Sequence, residues 1–486
     1  MLPMMALLLV AAATGAGGIS TPPAGALTPV FTATGAGVHN ASTGAGCFRS
    51  PTLLRVGSSL LAFAAHHWDT SKSPCNDVGL KAIVVRDSRD GKSWSPPRAI
   101  LNDTLPSKYP GDDGISFGTA VYDTSTRTVF FFYVTCSHVP GRAAPAPAHC
   151  PHSKFVLRST DEGVHWSAPQ DVTSMLATIP GIWAPGPATG IQLPTGRLLV
   201  CGSYRPMPKY SAKPPVRSIS QCITSDDHGA VWRVAGFSNY SGVQGTATDH
   251  EPNEVQPALL ANGSVLLNSR DVGKGHGHRL LALSTNGGHS FGPARAETQL
   301  YDYPSTEGSM IRLGDCLFVT NLGEDKANRR DNDPCETPPA PSPCAFRHNL
   351  TLHSSCDEAK TWQSHGALWA GPAAYSSLSS LPWRSDAVGV LFESGPLLAT
   401  DTMAPYRQLS FVEAPVESTR IKNDEDETVW HAAPRSDGGA ASVVAALHAA
   451  GEAARLQNRV TTVQLASGRY QLREPLEIPT QEYSHL

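Results

Sequence analysis

The chain has 486 residues, of which 16% are charged, with 38 basic and 42 acidic side chains and a net charge of −4 when His is neutral. That balance excludes the broad positive field of a nucleic-acid-binding surface. A hydrophobic share of 40% excludes gross disorder, and 43 glycines with 40 prolines exclude a coiled coil or long helical bundle, leaving short strands and many turns.

In chain order, Met5 to Ala13 are apolar and are followed by the small residues Thr14 to Gly18. This is the layout of a signal peptide, expected to occupy residues 1–25. No run reaches the length of a membrane-spanning helix. The expectation is delivery to the secretory pathway, ending in the lysosomal lumen or outside the cell. Five Asn-x-Ser/Thr sequons, at Asn40, Asn102, Asn239, Asn262 and Asn349, are candidate glycosylation sites. The ten cysteines contain no Cys-x-x-Cys pair and no His at finger spacing, so disulfides are expected and a metal is not. Spacing does not fix their connectivity. Pairing near neighbours gives the expectation 47 with 75, 136 with 150, 201 with 222, 335 with 344, and 316 with 356.

Short apolar runs bounded by Gly, Asp, Asn or Pro follow: Leu80 to Val85, Val129 to Val134, Arg197 to Cys201, Val265 to Asn268, Leu280 to Leu283, Cys316 to Thr320, Val388 to Phe392 and Leu409 to Val412. Their length and flanks predict strands. Ser159-Thr-Asp161-Glu-Gly163-Val-His-Trp166 and Ser225-Asp-Asp227-His-Gly229-Ala-Val-Trp232 share the template Ser-x-Asp-x-Gly-x-x-Trp. Weaker copies end at Phe291 and Trp362, and a shifted one at Trp94, so the aromatic ends lie 72, 66, 59 and 71 residues apart. Such a box reads as a turn in which Asp accepts backbone N–H bonds, Gly supplies positive φ and Trp covers an apolar seam. A near-constant period predicts repeated units of about 61 residues, each a four-stranded blade. The expected fold is therefore all-β, a six-bladed β-propeller over residues 40–414. Residues 415–486 are expected to form an extension of unknown role, with an acidic run at Asp424 to Glu427 and helix-like composition from Ala440 to Val460. The terminal Tyr483-Ser-His-Leu486 resembles a tyrosine-based sorting signal.

The repeated turn is similar to the Asp box of the sialidases, and the chain from Cys47 to Phe411 resembles an exo-α-sialidase, closest to the lysosomal sialidase of animals. The resemblance is carried by Phe48-Arg49-Ser50-Pro51, standing where the family has Phe-Arg-Ile-Pro, by Leu60-Leu-Ala-Phe-Ala64, Trp94-Ser-Pro96 and Ala184-Pro-Gly-Pro187. Gly196-Arg-Leu-Leu-Val-Cys-Gly202, Asn349-Leu-Thr-Leu352 and Tyr375-Ser-Ser-Leu378 continue it.

The resemblance implies release of terminal α-linked sialic acids from glycoproteins, glycolipids or oligosaccharides, without a cofactor and with retention through a tyrosyl intermediate. It implies Arg49, Arg270 and Arg347 as the guanidinium forks that hold the substrate carboxylate. A carboxylate on the reacting carbon would repel an anionic nucleophile, and sialidases use tyrosine instead. That role falls to Tyr375, with Glu254 as its base. Asp77 matches the acid that protonates the leaving oxygen, and Glu393 the carboxylate that orients Arg49. Ser50 departs from the family's Ile, which predicts a looser apolar contact, and a Cys47–Cys75 bridge would pin the Asp77 loop to the Arg49 strand. The competing readings are a sialoglycan-binding propeller without catalysis and a trans-sialidase. The expected partner is a sialylated glycoconjugate, with no nucleic acid and any lumenal protein partner left open.

Overall fold

The computed structural model describes residues 27–32, 46–67, 75, 81–102, 115, 118–135, 153–176, 181–206, 218–238, 250–273, 277–302, 305–323, 347–396, 404–416, 428–432 and 461–465. The expected signal peptide, the helix-like stretch at 440–460 and the cysteines at 136, 150, 335 and 344 lie outside them. The chain divides into two compact units, residues 1–418 and 419–486. Among the described residues every regular element is a strand, apart from one 3-10 turn at Ala404–Tyr406.

In the first unit β1 (Thr28–Thr32) precedes an antiparallel sheet of β2 (Cys47–Val56), β3 (Ser59–His67), β4 (Lys81–Ser88) and β5 (Arg98–Asn102). A second sheet holds β6 (Thr119–Asp123), β7 (Thr128–Thr135), β8 (Ser153–Ser159) and β9 (Gln170–Asp171). Then come β10 (Gly181–Pro185), β11 (Ala188–Thr189), β12 (Ile191–Gln192), β13 (Leu198–Pro206), β14 (Ile219–Ser225) and β15 (Arg233–Ser238). The third sheet runs β10-β13-β14-β15 with β12 added to β13, while β11 crosses to pair with β6. The fourth is β16 (Pro252–Leu259), β17 (Val265–Asp271), β18 (His278–Ser284) and β19 (Arg295–Tyr301).

The remaining strands are β20 (Ser309–Leu313), β21 (Cys316–Leu322), β22 (His348–Ser355), β23 (Gln363–Leu381), β24 (Arg384–Ser394) and β25 (Gln408–Pro415). They form one seven-stranded sheet in the order β1-β25-β24-β23-β22-β21-β20. The long β23 pairs with β22 through its first half, up to Pro372, and with β24 through its second, from Ala373.

Most strands are apolar on both faces because each sheet is packed between two others. Val121, Phe130, Phe132, Leu198, Val200 and Trp232 form a cluster shared by the second and third sheets. Leu199, Cys201, Val265 and Leu267 join the third to the fourth, and Leu266, Leu281, Met310 and Val319 join the fourth to the seven-stranded sheet. Val30, Phe31, Leu391 and Phe411 then pack on Leu53, Leu60 and Val84 of the first. Consecutive sheets thus follow one another around a closed, propeller-like ring. Burying each Leu, Val or Phe contributes about 1.5–3 kcal/mol. The ring is closed by β1, whose Thr28 to Thr32 pair with Phe411 to Gln408 of β25. The expected domain start at residue 40 therefore moves back to Thr28, because an N-terminal strand completes the sheet made by the C-terminal one.

The inner strands are also tied together by polar bonds at the hub. Leu53 N–H donates to Ser377 Oγ (2.9 Å), Thr52 Oγ1 to the Ala188 carbonyl (3.3 Å) and Gln256 Nε2 to Thr189 Oγ1 (2.8 Å). Leu378 N–H donates to Ser309 Oγ (2.8 Å). Three of these bonds engage backbone groups, and the Gln256–Thr189 bond joins two buried side chains.

Four boxes adopt one turn, and the shifted copy closes a turn one residue shorter with the same kinds of bond. Ser159 Oγ donates to Asp161 Oδ1 (2.9 Å) and accepts from Gly163 N–H (2.8 Å), while Asp161 Oδ1 accepts from His165 N–H (2.9 Å). Ser225, Asp227 and Gly229 repeat this at 2.7 and 2.8 Å. The shifted copy keeps the pattern through Ser88, Asp90 and Gly91, and Asp357 accepts Thr361 N–H in the last. Burial alone would raise the Asp161 carboxyl, but the His165 and Ser159 hydrogen bonds hold it at about 2. The role of these aspartates is to shape turns.

Gly229 stands at φ +81°, and a Cβ there would lie 2.3 Å from the Phe130 ring. Gly229→Ala is expected to destabilise the protein by about 1–3 kcal/mol, read as a lower urea midpoint. Gly263→Ala, at the same φ with nothing within 4 Å, isolates the backbone cost and should lose less.

The second unit contains β26 (Thr428–Ala432) and β27 (Thr461–Leu465), paired in parallel.

Candidate active site

The inner strands bring six of the seven expected site residues together. Tyr375 lies at the start of the second half of β23, Glu254 on β16, Arg270 on β17, Glu393 on β24, Arg49 on β2 and Arg347 just before β22. The Tyr375 hydroxyl donates to Glu254 Oε1, and Arg270 Nη1 bridges Glu254 Oε2 at 2.9 Å and Tyr375 Oη at 3.2 Å. Arg270 Nε adds a bond to Ser305 Oγ (3.3 Å). The guanidinium groups of Arg347 and Arg49 lie 5.4 and 5.5 Å from the centre of the Tyr375 ring, within cation–π range.

Glu393 is fully buried and ties three parts of this cluster together. Its Oε1 accepts Arg49 Nε (3.3 Å) and Ser50 N–H (2.9 Å), and its Oε2 accepts Tyr375 N–H (3.1 Å). Ser50 stands at φ +55°, a conformation that a β-branched side chain adopts only under strain. The departure from Ile therefore matters to the backbone beside Arg49 more than to an apolar contact.

Charge and burial pull in opposite directions on the phenol. Burial pushes the Tyr375 pKa well above its ordinary value and Glu254 adds to the rise, while Arg270, Arg347 and Arg49 counter it. Burial would lower Arg270, but Glu254 and Tyr375 outweigh it and raise its pKa. A buried phenol on a carboxylate, facing three guanidinium groups, can lose its proton to that carboxylate as its oxygen bonds to an electrophile.

Asp77 lies outside the described residues. Cys75, two positions earlier, is bridged to Cys47, and its carbonyl accepts Arg49 Nη1 at 3.2 Å. The Cys201–Cys222 and Cys316–Cys356 bridges are present as expected. Asn102 and Asn262 are exposed, and Asn40 and Asn239 lie outside the described residues. Asn349 is 7% exposed and its amide donates to the Gly323 carbonyl (3.3 Å), which argues against a glycan there and for a structural asparagine.

Three residues near the site escaped sequence reasoning. Tyr406 lies under Arg49, 4.4 Å from guanidinium carbon to ring centre, and its hydroxyl accepts Arg347 Nη1 at 3.2 Å. Ser305 supports Arg270. Glu307, buried beside Ser376, has its amide partner at 2.9 Å. None belongs to a recognisable motif, and only the packing of distant strands identifies them.

A β ring whose repeated turns are Asp boxes, with a tyrosine, a carboxylate and three arginines converging on its hub, defines a sialidase-type propeller. Residues 60–384 match the BNR repeat-like domain. The chain belongs to this family, and its homologues within it are bacterial and animal sialidases. It is 30% identical over 398 residues to the sialidase of Micromonospora viridifaciens, an alignment covering 78% of this chain and 54% of that protein, so the chain spans about half the length of that relative. To Sialidase-2 of Cricetulus griseus it is 27% identical over 375 residues, covering 72% and 90% of the two chains. In fold it is similar to a Hadza microbial sialidase (TM-score 0.58, 21% identity, 76% and 66% covered). It is also similar to the Trypanosoma rangeli sialidase solved with 2,3-difluorosialic acid as a covalent intermediate (TM-score 0.58, 15% identity, 81% and 59% covered). Among the described residues no helix is long and apolar enough to cross a membrane.

Proposed function

We propose that the protein is an exo-α-sialidase that hydrolyses terminal α-linked sialic acids from glycoconjugates with retention of configuration. The observation that carries this reading is the Tyr375 hydroxyl held by both Glu254 and Arg270 within a cluster of three arginines. A propeller that only bound sialoglycans would have no use for a carboxylate buried against a phenol. In the proposed mechanism Arg49, Arg270 and Arg347 grip the substrate carboxylate, which fixes the anomeric carbon over Tyr375. Tyr375 Oη forms a bond to that carbon as Glu254 takes the phenolic proton and the bond to the leaving oxygen breaks. Asp77 gives the leaving oxygen its proton; in the second step it takes one from the water that cleaves the tyrosyl bond, while Glu254 returns the phenolic proton to Tyr375 Oη, so that all three groups end as they began.

The seven-stranded sheet, divided within β23, is read as two four-stranded blades sharing one long strand, which supports a count of six. The disulfides and the exposed sequons support folding in an oxidising secretory compartment, ending in the lysosome or outside the cell. The reading is tested by release of 4-methylumbelliferone from its α-sialoside between mildly acidic and neutral pH. Folded, glycosylated protein without such activity would refute it.

A further inference from the structure

Glu307, in the segment leading into β20, is 1% exposed. Its Oε2 accepts the Ser376 N–H at 2.9 Å, and its Oε1 is buried with no hydrogen-bond partner. The preceding amide, Tyr375 N–H, is taken by Glu393 Oε2. Two successive amides of β23, flanking the side chain assigned as nucleophile, are thus held by two buried glutamates, one on β24 and one in the segment before β20.

The two glutamates differ in charge compensation. Glu393 has Arg49 as an ion-pair partner, whereas Glu307 has no cation within hydrogen-bond reach among the described residues. The charged groups that act on it most strongly are Glu254, Arg279 and Glu393. Arg279 is committed elsewhere, to Asp302 Oδ2 (2.9 Å), Asn268 Oδ1 (2.8 Å) and the Thr306 carbonyl (2.6 Å). An ionised carboxylate with a bare buried oxygen is far costlier than a neutral acid missing one hydrogen bond. Burial pushes the Glu307 pKa well above the ordinary carboxyl value, Glu254 and Glu393 push the same way, and the Ser376 amide and Arg279 oppose them without reversing the shift.

We propose that Glu307 is a positioning residue, kept as a neutral carboxylic acid, that aligns the Tyr375 backbone without adding a third negative charge to the arginine cluster. This rests on the sialidase reading above. With Glu307 neutral, the three arginines face two carboxylates, Glu254 and Glu393, and one positive charge remains for the substrate carboxylate. Ionisation of Glu307 cancels it.

The test compares wild type with Glu307→Gln, which keeps the shape and an acceptor for Ser376 N–H but cannot ionise. Two readouts are used: melting temperature against pH, and kcat and KM for the 4-methylumbelliferyl α-sialoside against pH. A carboxyl whose folded pKa is raised holds its proton after the unfolded chain has lost it, so its contribution falls as pH rises above about 4.3. Wild type should lose melting temperature over that range more steeply than Glu307→Gln. On the alkaline side its KM should rise about tenfold more than that of the variant, a change equivalent to one pKa unit of interaction, with kcat at acid pH within about twofold. Parallel melting profiles would overturn the neutral state. A flatter melting slope with superposable KM profiles would overturn the positioning role and leave the sialidase reading intact. A wild type inactive on the sialoside would overturn that reading and this role together, while the melting profiles still report the state of Glu307.

Discussion

Tyr375→Phe is expected to fold normally and to lose about 10⁴-fold in kcat on an α-sialoside. The ring keeps its packing and its contacts with the Arg49 and Arg347 guanidinium groups, and only the oxygen shared by Glu254 and Arg270 is removed. Glu254→Gln should cost about 10²–10⁴-fold, the range of a general base. It also leaves Arg270 without its carboxylate at 2.9 Å, so part of the loss should appear in KM. Because hydroxyl and carboxylate act as a unit, the double variant should be little worse than Tyr375→Phe alone. Independent, multiplicative losses would separate Glu254 from the nucleophile's activation.

Glu393→Ala should produce the largest loss of stability at the site, about 3–5 kcal/mol. It strips the Glu393 carboxylate from Arg49 Nε, Ser50 N–H and Tyr375 N–H at once, and Arg49 is only 6% exposed. Glu393→Gln retains an oxygen for the amides and should lose less, while its weaker hold on Arg49 raises KM. Urea midpoints and KM values for the pair check this. A Glu393→Ala protein as stable as wild type would mean that Arg49 finds another partner and that Glu393 does not organise the site.

Much of the ring was legible from local chemistry. The Asp boxes announce themselves because Ser, Asp and a residue with positive φ must recur at fixed offsets to close the same turn, and even the shifted copy ending at Trp94, one residue shorter, closes with the same Ser and Asp acceptors. The buried strands are continuous apolar runs because every sheet has neighbours on both faces. The site was legible through motif resemblance: Arg49, Arg270, Arg347, Tyr375, Glu254 and Glu393 lie on separate strands, and no spacing rule says that they meet. What could not be read has a common physical cause. β1 closing on β25 is a pairing across almost the whole first unit, Tyr406 is placed under Arg49 by a turn with no motif, and the burial of Glu307 and Asn349 is decided by strands far away in sequence. A sequon marks a chemical possibility, whereas access to the amide nitrogen is a property of packing.

Trapping with 2,3-difluorosialic acid, the reagent bound covalently in the Trypanosoma rangeli sialidase, followed by peptide mapping, reports directly on the proposed nucleophile. Incubation should add the mass of one fluorosialyl group per chain, located on the peptide containing Tyr375 and absent from Tyr375→Phe. Active protein that acquires no label, or carries it on another residue, would contradict catalysis through Tyr375.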